Sequence, residues 1–499
     1  MNEKGLRKLK TASAIIAALL LFSMFFALAT DQAAATTTPD IDIIVDEGNI
    51  TDHLWSSDGT KIAYIMCPEG QLWGDLWVAE WDGKEVKNKQ LIYTEADYNH
   101  LEDWQGDWIL FMIREEDGTP DDYYGRNELW KIRDDGSDPT QITFTYTNGI
   151  KWTENGYYYY RGSVGWGRFI PGTDLVYFSA HDGNGWYKPF TCKNDGSDQW
   201  VCVSAETEAP YSFTISMSPT GNKLVWGDAG YWNAPTRALM ACNPDNTGHD
   251  LIKSFNKRTF PLVLADGNTV VYSWYDGDIH AIDMDGSNDH MVLDDEYFNH
   301  WENYNPVDGQ ALLMRSDRAD GNVHFFSMNI DGTEIVQLTD GSFNDDRASY
   351  SPSANELLYR RMPLESEPYQ LVIKRLIKLI EIDIKPGSDP NSINLKSKGK
   401  TPVAVLTTDD FDASEVDPAT VEFAGASPLK WAYEDVDDDG DLDLIMHFST
   451  QELDLTKDST EATLTGETWD FQQIQGTDSV RIVPHYNGPQ YQHQHRYHV

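Results

Sequence analysis

Cysteine is scarce: four in 499 residues, at Cys67, Cys192, Cys202 and Cys242. No Cys-x-x-Cys pair occurs, which excludes a zinc or redox site of that type. Cys192 and Cys202 flank a turn and leave two readings open, a bridge across paired strands or buried thiols in sheets. Basic residues are also few, 38 Lys plus Arg against 81 Asp plus Glu, for a net charge of −43. Such a chain repels a nucleic-acid backbone and an anionic membrane, so neither is expected as a partner. It suits an extracellular protein, a salty milieu or divalent cations, and most of the carboxylates read as solvated surface. No G-x-S-x-G elbow is present, which speaks against a serine hydrolase. The glycines of RGSVGWG lack the Lys-Ser/Thr of a phosphate loop. After the N-terminal segment no uncharged run is long enough to span a bilayer.

That segment carries Lys4, Arg7, Lys8 and Lys10, then an uncharged run from Thr11 to Thr30. Ala27-Leu28-Ala29 and Ala33-Ala34-Ala35 offer small residues for cleavage. The layout predicts a signal peptide, or an uncleaved anchor, over residues 1–35, and an extracellular, cell-surface or periplasmic location.

What the chain has is repetition. Tyr304 to Asp340 reads as four short strands joined by tight turns, with Asp308-Gly309 and Asp331-Gly332 among them. The pattern returns with drift from His53, Asp103, Arg168, Thr214, Pro261 and Ser349, making seven first-strand signals. Trp55 to Trp104 is 49 residues and Tyr304 to Tyr350 is 46. One such sheet cannot bury both of its faces, so copies must stack. A period in the forties with four strands per unit predicts a β-propeller, seven blades favoured and six to eight allowed. The irregular third unit sets that range, since the stretch from Ile150 reads as an extra hairpin or part of a further blade. The seventh unit supplies three strands, and Ile41 to Val45 is an orphan strand expected to complete it and close the ring.

Four turns carry a likeness to a known family: Ser56-Ser57-Asp58-Gly59, Ser218-Pro219-Thr220-Gly221, Asp285-Gly286-Ser287 and Asp331-Gly332-Thr333. With the strands that follow them, these resemble the TolB-like β-propeller repeat, over residues 41–375. The resemblance implies the fold. It implies no single function, because that repeat serves many unrelated proteins.

From about Leu376 the texture changes to strands with turns at Pro386-Gly387 and Lys398-Gly399. Residues 376–484 read as a separate β-sandwich, and residues 485–499 as a His-rich flexible tail. The tail holds His485, His493, His495 and His498. Asp383-Ile384-Lys385-Pro386-Gly387, Pro402-Val403-Ala404-Val405-Leu406 and Leu464-Thr465-Gly466 resemble a module appended to secreted bacterial and archaeal proteins. That resemblance implies no activity.

The sharpest local signal is EDVDDDGDLDL, from Glu434. Asp435, Asp437 and Asp439 stand at positions one, three and five of a Ca²⁺ loop, with Gly440 at six. Asp441 would offer its carbonyl at seven, and Asp443 stands at nine. Hard carboxylate oxygens at alternate positions can converge on one ion, whereas without it they repel. Met446 replaces the usual bidentate Glu and the flanks read as strands, so this is no EF-hand. The missing ligand is sought at Asp409 or Asp410. The expected cofactor is a structural Ca²⁺; the alternative is a solvated acidic turn.

A second signal recurs between blades. Tyr98-Asn99-His100, Phe298-Asn299-His300, Thr51-Asp52-His53 and Phe343-Asn344-Asp345 all precede innermost strands. In a propeller such segments converge at the mouth of the central channel. His53, His100, His300, Asn99, Asn299 and Asp345 are therefore candidates for a polar or metal site there. The competing reading is local: Asn and Asp satisfy turns and His packs at strand starts. Oligogalacturonate lyases use a related propeller with a His-rich metal site, for which His300, His324, His280 and Gln310 are the nearest residues. That family's closely spaced histidines are not evident. Tyr157 to Tyr160, Trp166, Trp186, Trp232 and Trp274 offer sugar-stacking faces, although most rings should fill gaps between blades. The expected function is non-catalytic: a secreted or cell-surface scaffold presenting a propeller face to a protein or glycan. A metal-assisted polysaccharide lyase is the alternative.

Overall fold

In a computed structural model the chain is described from residue 42 to residue 483. Segments 69–72, 116–125, 145–150, 155–156, 161–163, 182–186, 198–200, 203–211, 229–236, 256–258, 274–276, 364–367 and 409–410 are left aside. The regular structure described is almost all strand. A 3-10 turn, Ala413–Glu415, interrupts it. Among the described residues no helix is long and apolar enough to cross a membrane.

The first part is a seven-bladed propeller. Five blades are four-stranded antiparallel sheets, and blades one and two share the long strand Val86–Gln105, which is outermost in one and innermost in the other. The innermost strands are Ile50–Trp55, the end of Val86–Gln105, Val164–Phe169, Ser212–Met217, Phe260–Val263, Asn299–Tyr304 and Phe343–Tyr350. The irregular third unit holds an added hairpin, Lys151–Glu154 with Tyr157–Tyr160, and not an extra blade. The orphan N-terminal strand, Asp42–Gly48, pairs with Tyr369–Arg375 and becomes the outer strand of blade seven. The ring therefore leaves no open sheet at its seam.

Seven apolar clusters fill the seven gaps between blades. Consecutive residues of one strand go to opposite gaps, as the pleat requires. Leu312 packs with blade five, among Val271 and Ala281, whereas Leu313 packs with blade seven, among Leu357, Tyr359 and Val372. Leu358, Leu371 and Ile373 of blade seven meet Ile62 and Tyr64 of blade one, so the seam has a core like the other six. Each such aliphatic side chain contributes roughly 1.5–3 kcal/mol by leaving water.

The repeated turns have a packing reason. Ser56 Oγ accepts from the amide of Lys61 at 2.9 Å, Ser218 Oγ from Lys223 at 3.0 Å and Ser351 Oγ from Glu356 at 3.1 Å. One serine thus closes the inner hairpin of blades one, four and seven. Gly332, at φ +81°, sits where a Cβ would lie 2.2 Å from the carbonyl oxygen of Val292 in the preceding blade. Gly286 makes the same approach to Ile252 at 2.7 Å. The Asp-Gly-Ser/Thr turn is therefore an inter-blade contact that needs both the left-handed backbone and the missing side chain.

A β-sandwich follows. One sheet runs Ile377–Leu379, Gln473–Ser479, Glu461–Thr468, Val416–Phe423; the other runs Ile382–Ile384, Lys400–Val405, Asp443–Ser449, Pro428–Glu434. Both inner faces contribute to a single core with Ile384, Val403, Phe423, Leu444, Met446, Phe448 and Leu464. Salt bridges tie it to the propeller: Glu467 lies 3.1 Å from Lys84 and 3.4 Å from Arg375. Phe471 closes against Gly83 and lies 4.7 Å beneath the Lys84 ammonium.

Of the two readings left open for Cys192 and Cys202, the bridge does not fit the register. Cys202 stands opposite Phe190, and Cys192 stands opposite Val176 on the other side. Cys67, Cys192 and Cys242 are buried thiols.

Candidate functional site

The innermost strands of blades one, two, three, four, six and seven each carry a register shift. A bulge adds a residue and re-aims side chains, and here the strands concerned line the propeller axis. Skipped residues include Glu102, Glu302 and Arg347. The result is a chain of charges across five blades.

It starts in blade six. Glu302 Oε1 lies 2.9 Å from Arg315 Nε, an ion-pair contact whose angle falls short of a hydrogen bond. Arg315 donates from Nη1 to Asp346 Oδ1 at 3.0 Å. Asp346 also pairs with Arg360, whose Nη1 donates to the carbonyl of Ile50 at 3.1 Å. Arg347 pairs with Asp52 at 3.1 Å, and the other oxygen of Asp52 accepts from the amide of Leu101 at 3.1 Å. Glu102 accepts from the amide of Gly167 and Asp103 from that of Phe169, both at 2.9 Å. Arg168 lies 3.7 Å from Asp103 and leaves 51% of its side chain accessible. Asp52 bonds the inner strand of blade one to that of blade two, Glu102 and Asp103 bond that of blade two to that of blade three, and the Arg168 and Arg347 side chains stay partly accessible.

Burial sets the protonation of this ring. It pushes the Glu302 carboxyl up to about 7, aided by the charge of Asp346 and opposed by Arg315. It also raises Asp103, against the pull of Arg168. It lowers His53 to about 4, reinforced by Arg347 and Arg360. His300 falls to about 4 through burial and the nearby Arg315. Both imidazoles are neutral at neutral pH, while Glu302 is poised to exchange a proton there.

The residues singled out from sequence are distributed as follows. His53 Nε2 lies 2.8 Å from the carbonyl of Arg347, and His300 Nδ1 lies 2.5 Å from that of Trp301. They serve different partners. Asn299 is buried, accepting from Ser316 and Arg318 and donating to Asp295 at 2.7 Å. Asp345 is buried against His324 at 3.2 Å. Asn99 and His100 stand in Val86–Gln105, and their side chains lie outside the described residues. Of the lyase candidates, His280 stacks on Tyr272 at 5.1 Å, His324 is buried and Gln310 lies on an exposed turn. Trp166 is 42% exposed, while Trp186, Trp232 and Trp274 lie outside the described residues. Glu302, Arg315, Asp346, Arg347 and Arg360 were missed, because isolated charges in apolar strands look like ordinary surface. The bulges that turn them inward have no sequence signature here.

In the sandwich, Asp435, Asp437 and Asp443 bring carboxylate oxygens within 4.8 Å of one another, the one such group of three among the described residues. Asp443 is buried and accepts from the amides of Thr407 and Val436, both at 2.9 Å. Gly440, at φ +105°, donates to Asp435 at 3.2 Å. Asp439 instead accepts from the amide of Asp441 at 2.9 Å. Met446 is buried in the core and offers nothing to the loop. Asp409 and Asp410 lie outside the described residues. Partial desolvation and the charges of Asp439 and Asp443 raise Asp437, so the group resists carrying full charge without a cation. Three hard oxygens in this arrangement fit Ca²⁺.

No family model matches the chain. No curated protein matches it. Among solved structures it is similar to the β-propeller domain of Cps50 (Swd1) from Myceliophteria thermophila, with 11% identity and a TM-score of 0.45 over 66% of this chain and 99% of that one. It is also similar to puromycin hydrolase, with 11% identity and a TM-score of 0.46 over 74% of this chain and 59% of that one. Both likenesses concern the fold alone; the blade count rests on the strand pairing.

Proposed function

We propose that the chain is an exported, cell-surface or secreted, non-catalytic binding protein. Its rigid propeller presents the axial charged face to a protein or glycan, and the sandwich is a calcium-pinned accessory module. The observation that supports this is the axial ring. Arg168 and Arg347 leave 51% and 37% of their side chains accessible, held by carboxylates already bonded to neighbouring strands. Such a preorganised polar surface on a closed scaffold suits recognition at low ordering cost. The TolB-like assignment of the repeat, and the kinship of the sandwich with modules of secreted prokaryotic proteins, belong to this proposal. A glycan array and a pull-down, each run with the native chain and with Arg168→Ala plus Arg347→Ala, test it. Binding lost in the variant supports the reading; binding unchanged by it removes the axial face.

A second reading, a carbohydrate-active lyase, is favoured by Glu302. A carboxyl held near neutrality beside an arginine is what abstraction of a proton next to a carboxylate requires. The metal-assisted version finds no support among the described residues, since His53 and His300 are committed to different carbonyls. Release of unsaturated sugar ends from uronate polymers, lost in Glu302→Gln, would favour this reading.

A further inference from the structure

The sandwich has an edge that is built for pairing. Pro428–Glu434 is the last strand of its sheet, with Asp443–Ser449 on one side and no strand on the other among the described residues. Its unpaired amides and carbonyls are a template for another strand. Edge strands are commonly protected against foreign strands by proline, by bulges, by inward-pointing charge or by charged side chains such as lysine. Here the bulge sits at the start, between Pro428 and Lys430, and the run from Lys430 to Glu434 is regular.

The side chains add a second, independent sign. Trp431 stands opposite Met446 and Tyr433 opposite Leu444, so both share the core-facing side. Met446 and Leu444 are fully buried, yet Trp431 is 51% exposed and Tyr433 is 41% exposed. The opposing sheet stops short of them. Leu429, in the bulge, is 53% exposed. On the other side of the strand, Lys430 and Glu434 are exposed, and neither has an ion-pair partner among the described residues.

We propose that the occupant of this edge is a second copy of the chain, paired antiparallel with its two-fold axis at Ala432. The register follows from the sequence. About Ala432, Lys430 falls opposite Glu434 of the second copy, and Trp431 falls opposite Tyr433 of the second copy. By symmetry each pair occurs twice. Opposite charges face each other on the outer side, and aromatic rings face each other on the side the opposing sheet leaves open. These are the pairings that stabilise neighbouring antiparallel strands. A glycan stacking on Trp431 and Tyr433 would use the rings but not the charges. A foreign strand would have no reason to match this self-complementary order. The contact is short, and each chain carries a net charge of −43, so the dimer is weak and concentration-dependent.

The test is sedimentation velocity of the full chain over a concentration series, with four proteins: native, Lys430→Glu, Glu434→Lys, and the double exchange. The native chain should show reversible dimerisation. Each single exchange puts two like-charge pairs in the interface and should weaken the dimer at least roughly tenfold. The double exchange restores opposite charges at both places and should recover the native dimer. Far-UV circular dichroism confirms that all four proteins fold. A native chain that stays monomeric overturns the proposal, as does a dimer indifferent to the single exchanges. A double exchange no better than the singles overturns the self-paired register. Glycan binding that needs Trp431 in a monomeric chain assigns the edge to a sugar.

Discussion

Ile43 lies directly opposite Ile373. Some 330 residues of chain separate them, and their pairing seals the propeller. Asp42, one residue earlier, receives Arg361 at 2.7 Å, which fixes the end of the closing strand. Closure from the two ends of a repeat array removes its exposed edges and makes all seven gaps alike.

The closing strand gives a sharp contrast between neighbours. Val45 is 3% exposed and packs in the seam, whereas Ile44 is 50% exposed. Val45→Asp places an unpaired charge in the core and should cost about 3 kcal/mol or more. Ile44→Asp should stay within about 0.5 kcal/mol of native. Denaturant unfolding measures both. Equal effects would mean that the strand does not dock in the register described.

The ring was legible in the sequence because its signals are local. Serine-closed hairpins and Asp-Gly turns report themselves in four or five residues, and their spacing gives the period. The orphan strand from Ile41 was legible by arithmetic, as the element missing from the seventh unit. The gap that each core residue serves was hidden, because Leu312 and Leu313 look alike and differ only in pleat. The axial ring was hidden for a further reason. A single added residue in their own inner strands decides whether Glu302 or Arg347 faces the axis, and propensity does not encode it. The acidic loop sits between these cases. Its spacing was plain, but Asp443 proved to be held by two amides and Asp439 to serve the turn.

Acid should loosen the propeller through its neutral imidazoles. His53 and His300 are depressed to about 4 in the fold, below their ordinary value of 6.5. A depressed group contributes stability that is complete above the unfolded value and is lost as pH falls through the folded one. The loss therefore spans the window from about 6.5 down to about 4. His53→Gln keeps a donor for the Arg347 carbonyl and cannot charge. Its stability should fall less steeply across that window in equilibrium unfolding at stepped pH. A native slope in His53→Gln would place the titration elsewhere.

Glu302 should act with the opposite sign. Burial raises it from 4.5 to about 7. A raised group contributes stability that is complete below the unfolded value and is lost as pH rises through the folded one. Native stability attributable to it declines from about pH 4.5 to above pH 7. Glu302→Gln stays neutral throughout and should be flatter on that side, although Arg315 then relies on Asp346 alone for its charge partner. An identical decline in the variant would show that Glu302 is already ionised at low pH.

The last prediction concerns the acidic loop. A cation bound to the fold and not to the unfolded chain adds about 2.7 kcal/mol at a hundred times its dissociation constant. Addition of Ca²⁺ to chelator-treated protein should raise the melting temperature of the sandwich, and Mg²⁺ should do so less, because it demands a tighter octahedral set. Asp437 is the residue to change. It is exposed, and its oxygens make only a long contact with Asp439 among the described residues, 3.3 Å from that residue's amide. Asp437→Asn therefore removes a ligand charge without emptying the core, unlike Asp443, whose two oxygens hold Thr407 and Val436. In Asp437→Asn the calcium-induced rise should shrink or vanish, while the calcium-free melting temperature should hold or increase slightly, since a carboxylate repelled by Asp439 and Asp443 is gone. A calcium response of native size in this variant would move the ion away from Asp435, Asp437 and Asp443.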